Sequence, residues 1–193
     1  MLAVAVVVNW YKENLDDNKY IILSLDSNLA KHWLKSLEDK KRSDLLVFRK
    51  DKNNKYYIDI VEIKSYKSLN KNNPEKSKPF MKLENIEKLL KKIISKNGDL
   101  LLDKRRELIR KQIYKEGINL NDFDREWVPE LNKIIDGDYS VNINKNLFQI
   151  MFDKNIKYKM IMLRKKMFSV NHVNEIKFFS NLGEKILIII YRI

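Results

Sequence analysis

Two strand-like segments joined by a short polar run constrain this chain more than any other feature in it. Leu45-Leu46-Val47-Phe48 follows Arg42-Ser43-Asp44, and residues 56–64 read Tyr-Tyr-Ile-Asp-Ile-Val-Glu-Ile-Lys. Between them residues 49–55 are polar, with Asn53-Asn54 near the centre, which is turn chemistry. A β-hairpin symmetric about Asn53 sets Asp44 directly opposite Glu62, because the two are equidistant from that centre. Opposed residues of an antiparallel pair have Cβ atoms only about 4.5–5.5 Å apart. Alternation along the strand puts Lys64 on the face of Glu62 and turns Asp59 to the other face, where a solvent contact or a capping role is expected. Two acids at such a distance repel unless a cation lies between them, and a divalent metal is the usual solution. The arrangement depends on register, since a one-residue slip would turn Asp44 away from Glu62.

Which metal such a site can take follows from what the chain lacks. There is no cysteine, which excludes disulfides, thiolate zinc sites and a cysteine nucleophile. Histidine occurs twice, at His32 and His172, too few for a multi-histidine site. The ligands must therefore be oxygens, which suit Mg²⁺, Mn²⁺ or Ca²⁺. Lys and Arg number 39 against 26 acids, a formal charge of +13, and this favours a polyanionic partner, nucleic acid before an anionic membrane surface. Genomic A+T bias inflates Lys, Asn and Ile together, but does not explain why acids fail to rise with them.

With 193 residues, 44% of them apolar, the chain can build one substantial core. A single domain over 1–193 is expected, with a core over about 20–115 and a strand-rich C-terminal extension over about 139–193. The apolar N-terminus, residues 1–8, is about half the length that spans a bilayer and lacks the flanks of a signal peptide. It reads as a buried helix or strand, and a cytoplasmic protein without a membrane segment is expected. Residues 20–25 read as a buried strand. Asp26 or Ser27 can cap a helix over 28–39, with Leu29, Trp33 and Leu37 spaced four apart. A flexible loop is expected over 65–79. Helices follow over 82–96, with lysines on the outer face, and over 99–116, stopped by Gly117. A third helix begins at Asn121 or Asp122 and breaks near Pro129. Strand-like runs lie at 147–152, 158–168 and 184–193, and are expected to complete the same sheet.

Asp44, a spacer, then Glu62-Ile63-Lys64 on the next strand resembles the PD-(D/E)xK nuclease superfamily, over residues 20–115. The resemblance implies an α/β fold with an αβββαβ core: a mixed central β-sheet flanked by helices, restriction-endonuclease-like. It implies Asp44 as the bridging metal ligand, Glu62 as the second, and the Ile63 carbonyl as a third oxygen for Mg²⁺ or Mn²⁺. Lys64 is implied to orient or deprotonate the attacking water and to stabilise developing charge. Within the superfamily the likeness leans towards nucleases of bacterial restriction and anti-phage defence, which often work with an ATP-driven translocase. The chain departs from the family pattern in three ways. Ser43 stands where a proline is common, Gln112 lacks the tyrosine four residues later that marks one branch, and no upstream helical acid stands out beyond Glu13 and Glu38. Glu-x-Lys also occurs at 38–40 and 175–177, but only the copy at 62–64 faces a strand opened by an acid.

For backbone contacts to DNA (RNA is not excluded), Ser65 and Lys67 lie just beyond the motif. Lys104, Arg105, Arg106, Arg110 and Lys111 form a basic helix face. The expected activity is Mg²⁺-dependent endonucleolytic cleavage of DNA. The alternatives are a catalytically silent nucleic-acid-binding module and a protein-interaction subunit of a larger complex. A homodimer is compatible with either, and no residue pattern decides strandedness or sequence preference.

Overall fold

The computed structural model describes residues 2–15, 19–35, 37, 42–66, 78–96, 99–117, 127–152, 173–181 and 184–192. Helix α1 (Leu2–Asn14) precedes strand β1 (Lys19–Ser24), helix α2 (Asn28–Trp33), and strands β2 (Leu45–Lys50) and β3 (Tyr56–Tyr66). Three helices follow, α3 (Lys78–Ile93), α4 (Leu100–Glu116) and α5 (Val128–Ile135). Strands β4 (Val141–Phe152), β5 (Val173–Asn181) and β6 (Glu184–Arg192) close the chain.

All six strands belong to one mixed sheet, in the order β1-β2-β3-β4-β6-β5. β1, β2 and β3 form an antiparallel meander, whereas β4 runs parallel to β3 after the helical crossover. A parallel neighbour requires such a crossover, because a tight turn can only reverse the chain. β6 and β5 then add antiparallel strands beyond β4, so the strand-rich tail completes the sheet. The run expected at 158–168 lies outside the described residues.

Four consecutive residues of β1 and four of β2 are buried, the signature of strands covered on both faces. Ile21, Leu23, Leu46, Phe48, Ile58, Ile60 and Leu147 pack on one side, against α2 to α5. Ile22, Leu45, Val47, Val61, Ile63, Phe148 and Ile150 pack on the other, against Val7, Trp10 and Tyr11 of α1. The apolar N-terminus is thus a helix, half embedded, with Leu2 and Val4 exposed. No helix among the described residues is long and apolar enough to cross a membrane.

Local chemistry sets the boundaries. Ser27 caps α2, its hydroxyl accepting from the Ala30 amide, and Asp99 caps α4 in the same way through Leu102. α3 starts earlier than periodicity suggests, with Pro79 in its first turn, where a missing N–H is harmless. Pro129 likewise begins α5 instead of breaking a helix, and the expected start at Asn121 or Asp122 lies outside the described residues. Gly137, at φ +79°, ends α5 in the left-handed region that favours glycine.

Candidate active site

The hairpin turn is shorter than the polar run, because Arg49 and Lys50 still belong to β2. Arg49 is drawn onto the sheet by Asp59, at 2.8 Å, and by the Tyr57 ring, while Lys50 reaches Glu130 of α5. The reversal itself is organised by Asp51, whose carboxylate accepts from the amides of Asn53 and Lys55, both at 2.9 Å. Asn54 there adopts φ 58°.

Leu45 pairs with Val61, and Lys50 with Tyr56, so the ladder is symmetric about Asn53. Asp44 stands one residue beyond this ladder, where the pairing turns irregular, so it is not a regular rung opposite Glu62. Its backbone is pinned on both sides: its N–H donates to the Val61 carbonyl and its carbonyl accepts from Leu25, both at 2.9 Å. Its carboxylate accepts from the Ile63 amide at 2.6 Å. In an antiparallel pair the N–H and C=O of a residue leave the strand on the same side, so the Ile63 carbonyl faces that edge as well.

Glu62 is fully buried, and its Oε1 is contacted by two ammoniums, Lys64 at 2.6 Å and Lys82 at 2.9 Å. Its Oε2 is buried without a hydrogen-bond partner among the described residues. Burial pushes the Glu62 carboxyl above its ordinary pKa and the Asp44 charge adds to this, while the two lysines oppose it. Asp44 is also raised, first by burial, against the Ile63 amide and the same lysines. For each acid the cost of burial outweighs what its partners give the charged form.

Periodicity sets Lys82 on the solvated face of its helix, yet it turns from α3 onto Glu62. Gln149 is a second residue that periodicity does not single out. It pairs with Lys64 across the parallel β3–β4 ladder and so shares its face. Gln149 is 7% exposed, and its Oε1 has no hydrogen-bond partner among the described residues. A lone glutamine inside the apolar run 147–152 is its sequence signal. Lys82 has none, because only the seating of α3 brings it to β3.

Other expected residues separate from this cluster. Ser65 lies one strand step from Lys64 and so stands on the opposite face of the sheet, away from Glu62. Lys67 and His172 lie outside the described residues. Asp59 does occupy the opposite face, but it is 1% exposed and is neither a solvent contact nor a cap. Arg49, Tyr11 and Asn144 all donate to its carboxylate, beside a cavity of about 380 Å³ under α1. Gln112 is structural: its amide accepts from Trp33 Nε1 and donates to the Ser24 carbonyl and the Ser27 hydroxyl.

The basic face of α4 is smaller than expected. Arg106 is 6% exposed, and its guanidinium donates to the carbonyls of Ile93 and Ser95, satisfying the end of α3. It is therefore a buried helix clasp and not a phosphate contact. Arg110 is tied to Asp136, and Lys111 pairs with Glu107 one turn back at 2.6 Å. Lys104 is exposed and Arg105 partly so. The Glu-x-Lys copy at 175–177 lies in β5, at the sheet edge, and the copy at 38–40 lies outside the described residues.

No group of three or more His, Cys, Asp or Glu side chains that could hold a metal occurs among the described residues. The available oxygens are the Asp44 carboxylate, the unpartnered Glu62 Oε2 and the Ile63 carbonyl. Such a set suits a hard cation of the Mg²⁺ type, which commonly takes one or two carboxylates and completes its shell with water and phosphate. Comparisons of the chain with family models, with curated proteins and with solved structures find no match.

Proposed function

We propose that this chain is a metal-dependent nuclease domain of the PD-(D/E)xK type, hydrolysing DNA phosphodiester bonds with Mg²⁺ or Mn²⁺. The observation that carries the reading is the closeness of Asp44 and Glu62 at the open end of one hairpin, where Asp44 takes the Ile63 amide and its charge acts on Glu62, with Lys64 on the face of Glu62. The order of elements supports it, since a helix, a three-stranded meander, helices and a parallel strand follow in sequence, with α2 inserted in the meander. The formal charge of +13 supports a polyanionic substrate.

On this reading the Asp44 carboxylate, Glu62 Oε2 and the Ile63 carbonyl would hold the ion. The ion, when bound, would supply Lewis-acid polarisation of the phosphoryl oxygen and a more acidic water than bulk solvent offers. Asp44 is kept in place by its two backbone bonds and by the Ile63 amide, so the pair needs little reorganisation. Lys64 presents an ammonium beside Glu62, able to orient the attacking water and to stabilise charge growing on the phosphoryl oxygens.

The test is cleavage of plasmid and oligonucleotide DNA with Mg²⁺ or Mn²⁺. Asp44→Ala and Lys64→Ala are each expected to lower the rate by at least about 100-fold, in the range of lost electrostatic stabilisation. Both should keep salt-sensitive DNA binding. One observation favours a second reading, a silent nucleic-acid-binding module: two lysines already occupy Glu62 Oε1, and no third acid joins the pair among the described residues. Wild-type protein that binds DNA but leaves it intact with either metal would select that reading.

A further inference from the structure

Glu62 has more positive charge on one oxygen than neutralisation of a single carboxylate needs. Lys64 and Lys82 both contact Oε1, while Oε2 is left bare among the described residues. Counted with Asp44, the four groups sum to zero charge. A divalent cation placed between the acids would raise that sum to +2 in a desolvated site, against two ammoniums close by. Something has to move, and the two lysines differ in how readily they can.

Lys64 lies beyond the β2 ladder, on the part of β3 that pairs with β4, with Gln149 beside it. The unpartnered Gln149 Oε1 is an acceptor within that face, available to the Lys64 ammonium once Glu62 turns to a metal. Lys82 comes from the first turns of α3, whose Leu83 and Ile86 are buried against the sheet side. Its backbone is thus held while its flexible stem lets the ammonium swing, and its contact with Glu62 is the longer of the two, 2.9 Å against 2.6 Å for Lys64.

We infer that Lys82 is an exchangeable counter-ion: its ammonium holds Glu62 when no divalent cation is bound and transfers to a substrate phosphate when one is. This rests on the nuclease reading of the same site. Its consequence is coupling. A divalent cation alone leaves the cluster over-charged, a phosphodiester offsets part of that excess, and metal and polyanion therefore load together.

The experiment is calorimetric titration of the full chain with Mn²⁺, with and without an uncleavable phosphorothioate oligonucleotide. In the wild type the oligonucleotide is expected to tighten Mn²⁺ binding by about fivefold or more. Lys82→Met should bind Mn²⁺ about tenfold more tightly by itself, and the effect of the oligonucleotide should largely vanish. Lys82→Arg keeps the charge and should behave as wild type, as should Lys91→Met, on the same helix but paired with Glu87. Thermal melts establish that each variant is folded, and Lys82→Gln carries the same comparison if Lys82→Met is not. Equal Mn²⁺ affinity in wild type and Lys82→Met, with Asp44→Ala abolishing it, would overturn the exchange and leave the nuclease reading standing. Absence of Mn²⁺ binding in every variant would remove both.

Discussion

The fold makes the charge of Glu62 harder to hold than it is in water. Burial and the nearby Asp44 raise its pKa, although Lys64 and Lys82 oppose the shift. A raised carboxyl binds protons more tightly in the folded than in the unfolded chain. Stability therefore falls as pH rises from the ordinary carboxylate range, about 4.3, through the raised value, and stays lower above it. Glu62→Gln removes this penalty, and its lysine partners, both partly exposed, can turn to water. In EDTA at pH 7 the variant is expected to melt about 2–4 °C above wild type, as for a gain of about 1 kcal/mol in a domain of this size. The difference should close towards pH 4, where Glu62 is neutral in the fold. A variant melting below wild type at pH 7 would mean that the ion pairs outweigh the burial.

Elements here are joined by a few polar clasps placed at helix ends. Arg106 of α4 satisfies carbonyls at the end of α3, and Asp136 at the end of α5 takes Arg110 of α4. Gly137 follows at φ +79°, and a Cβ there would lie against the Ile94 carbonyl. Gly137→Ala adds both a left-handed strain and a clash with backbone. A loss of about 1–3 kcal/mol is expected in denaturant unfolding, with an unchanged m-value. Because α3 carries Lys82, these clasps also determine where that ammonium sits. Loosening them is a route by which a distant substitution can disturb Glu62.

If the chain acts on DNA as proposed, the charge of +13 predicts binding through phosphates with steep salt dependence. α4 contributes less to this than its sequence suggests, since three of its basic side chains are engaged within the protein. Joint replacement of Lys104 and Arg105 by Gln is expected to lower the log–log salt slope of DNA binding by up to about 2, close to 0.9 for each phosphate no longer neutralised. Arg106→Met should leave the slope unchanged while destabilising the fold. A slope altered by Arg106→Met in folded protein would restore that residue to the binding face.

By itself the sequence determined the hairpin and its register. Alternation, a polar turn and apolar flanks are local, and they set the rungs from Leu45–Val61 to Lys50–Tyr56 and put Lys64 on the face of Glu62, whereas Asp44 lies one residue past the ladder with its N–H on the Val61 carbonyl. The buried strand after α1, the cap at Ser27 and the apolar face of α3 were legible for the same reason: periodicity and capping act over a few residues. What only the tertiary structure decided is which polar side chains leave the solvent. Lys82 and Gln149 reach the site because α3 crosses over and β4 pairs in parallel with β3, contacts between segments far apart in the chain. Arg106 left the basic stripe because the carbonyls at the end of α3 needed donors, and Asp59 became buried because α1 covers its face. A charge run in a sequence carries no information about such partners, since an ion pair or a helix clasp is made by whatever the fold brings opposite.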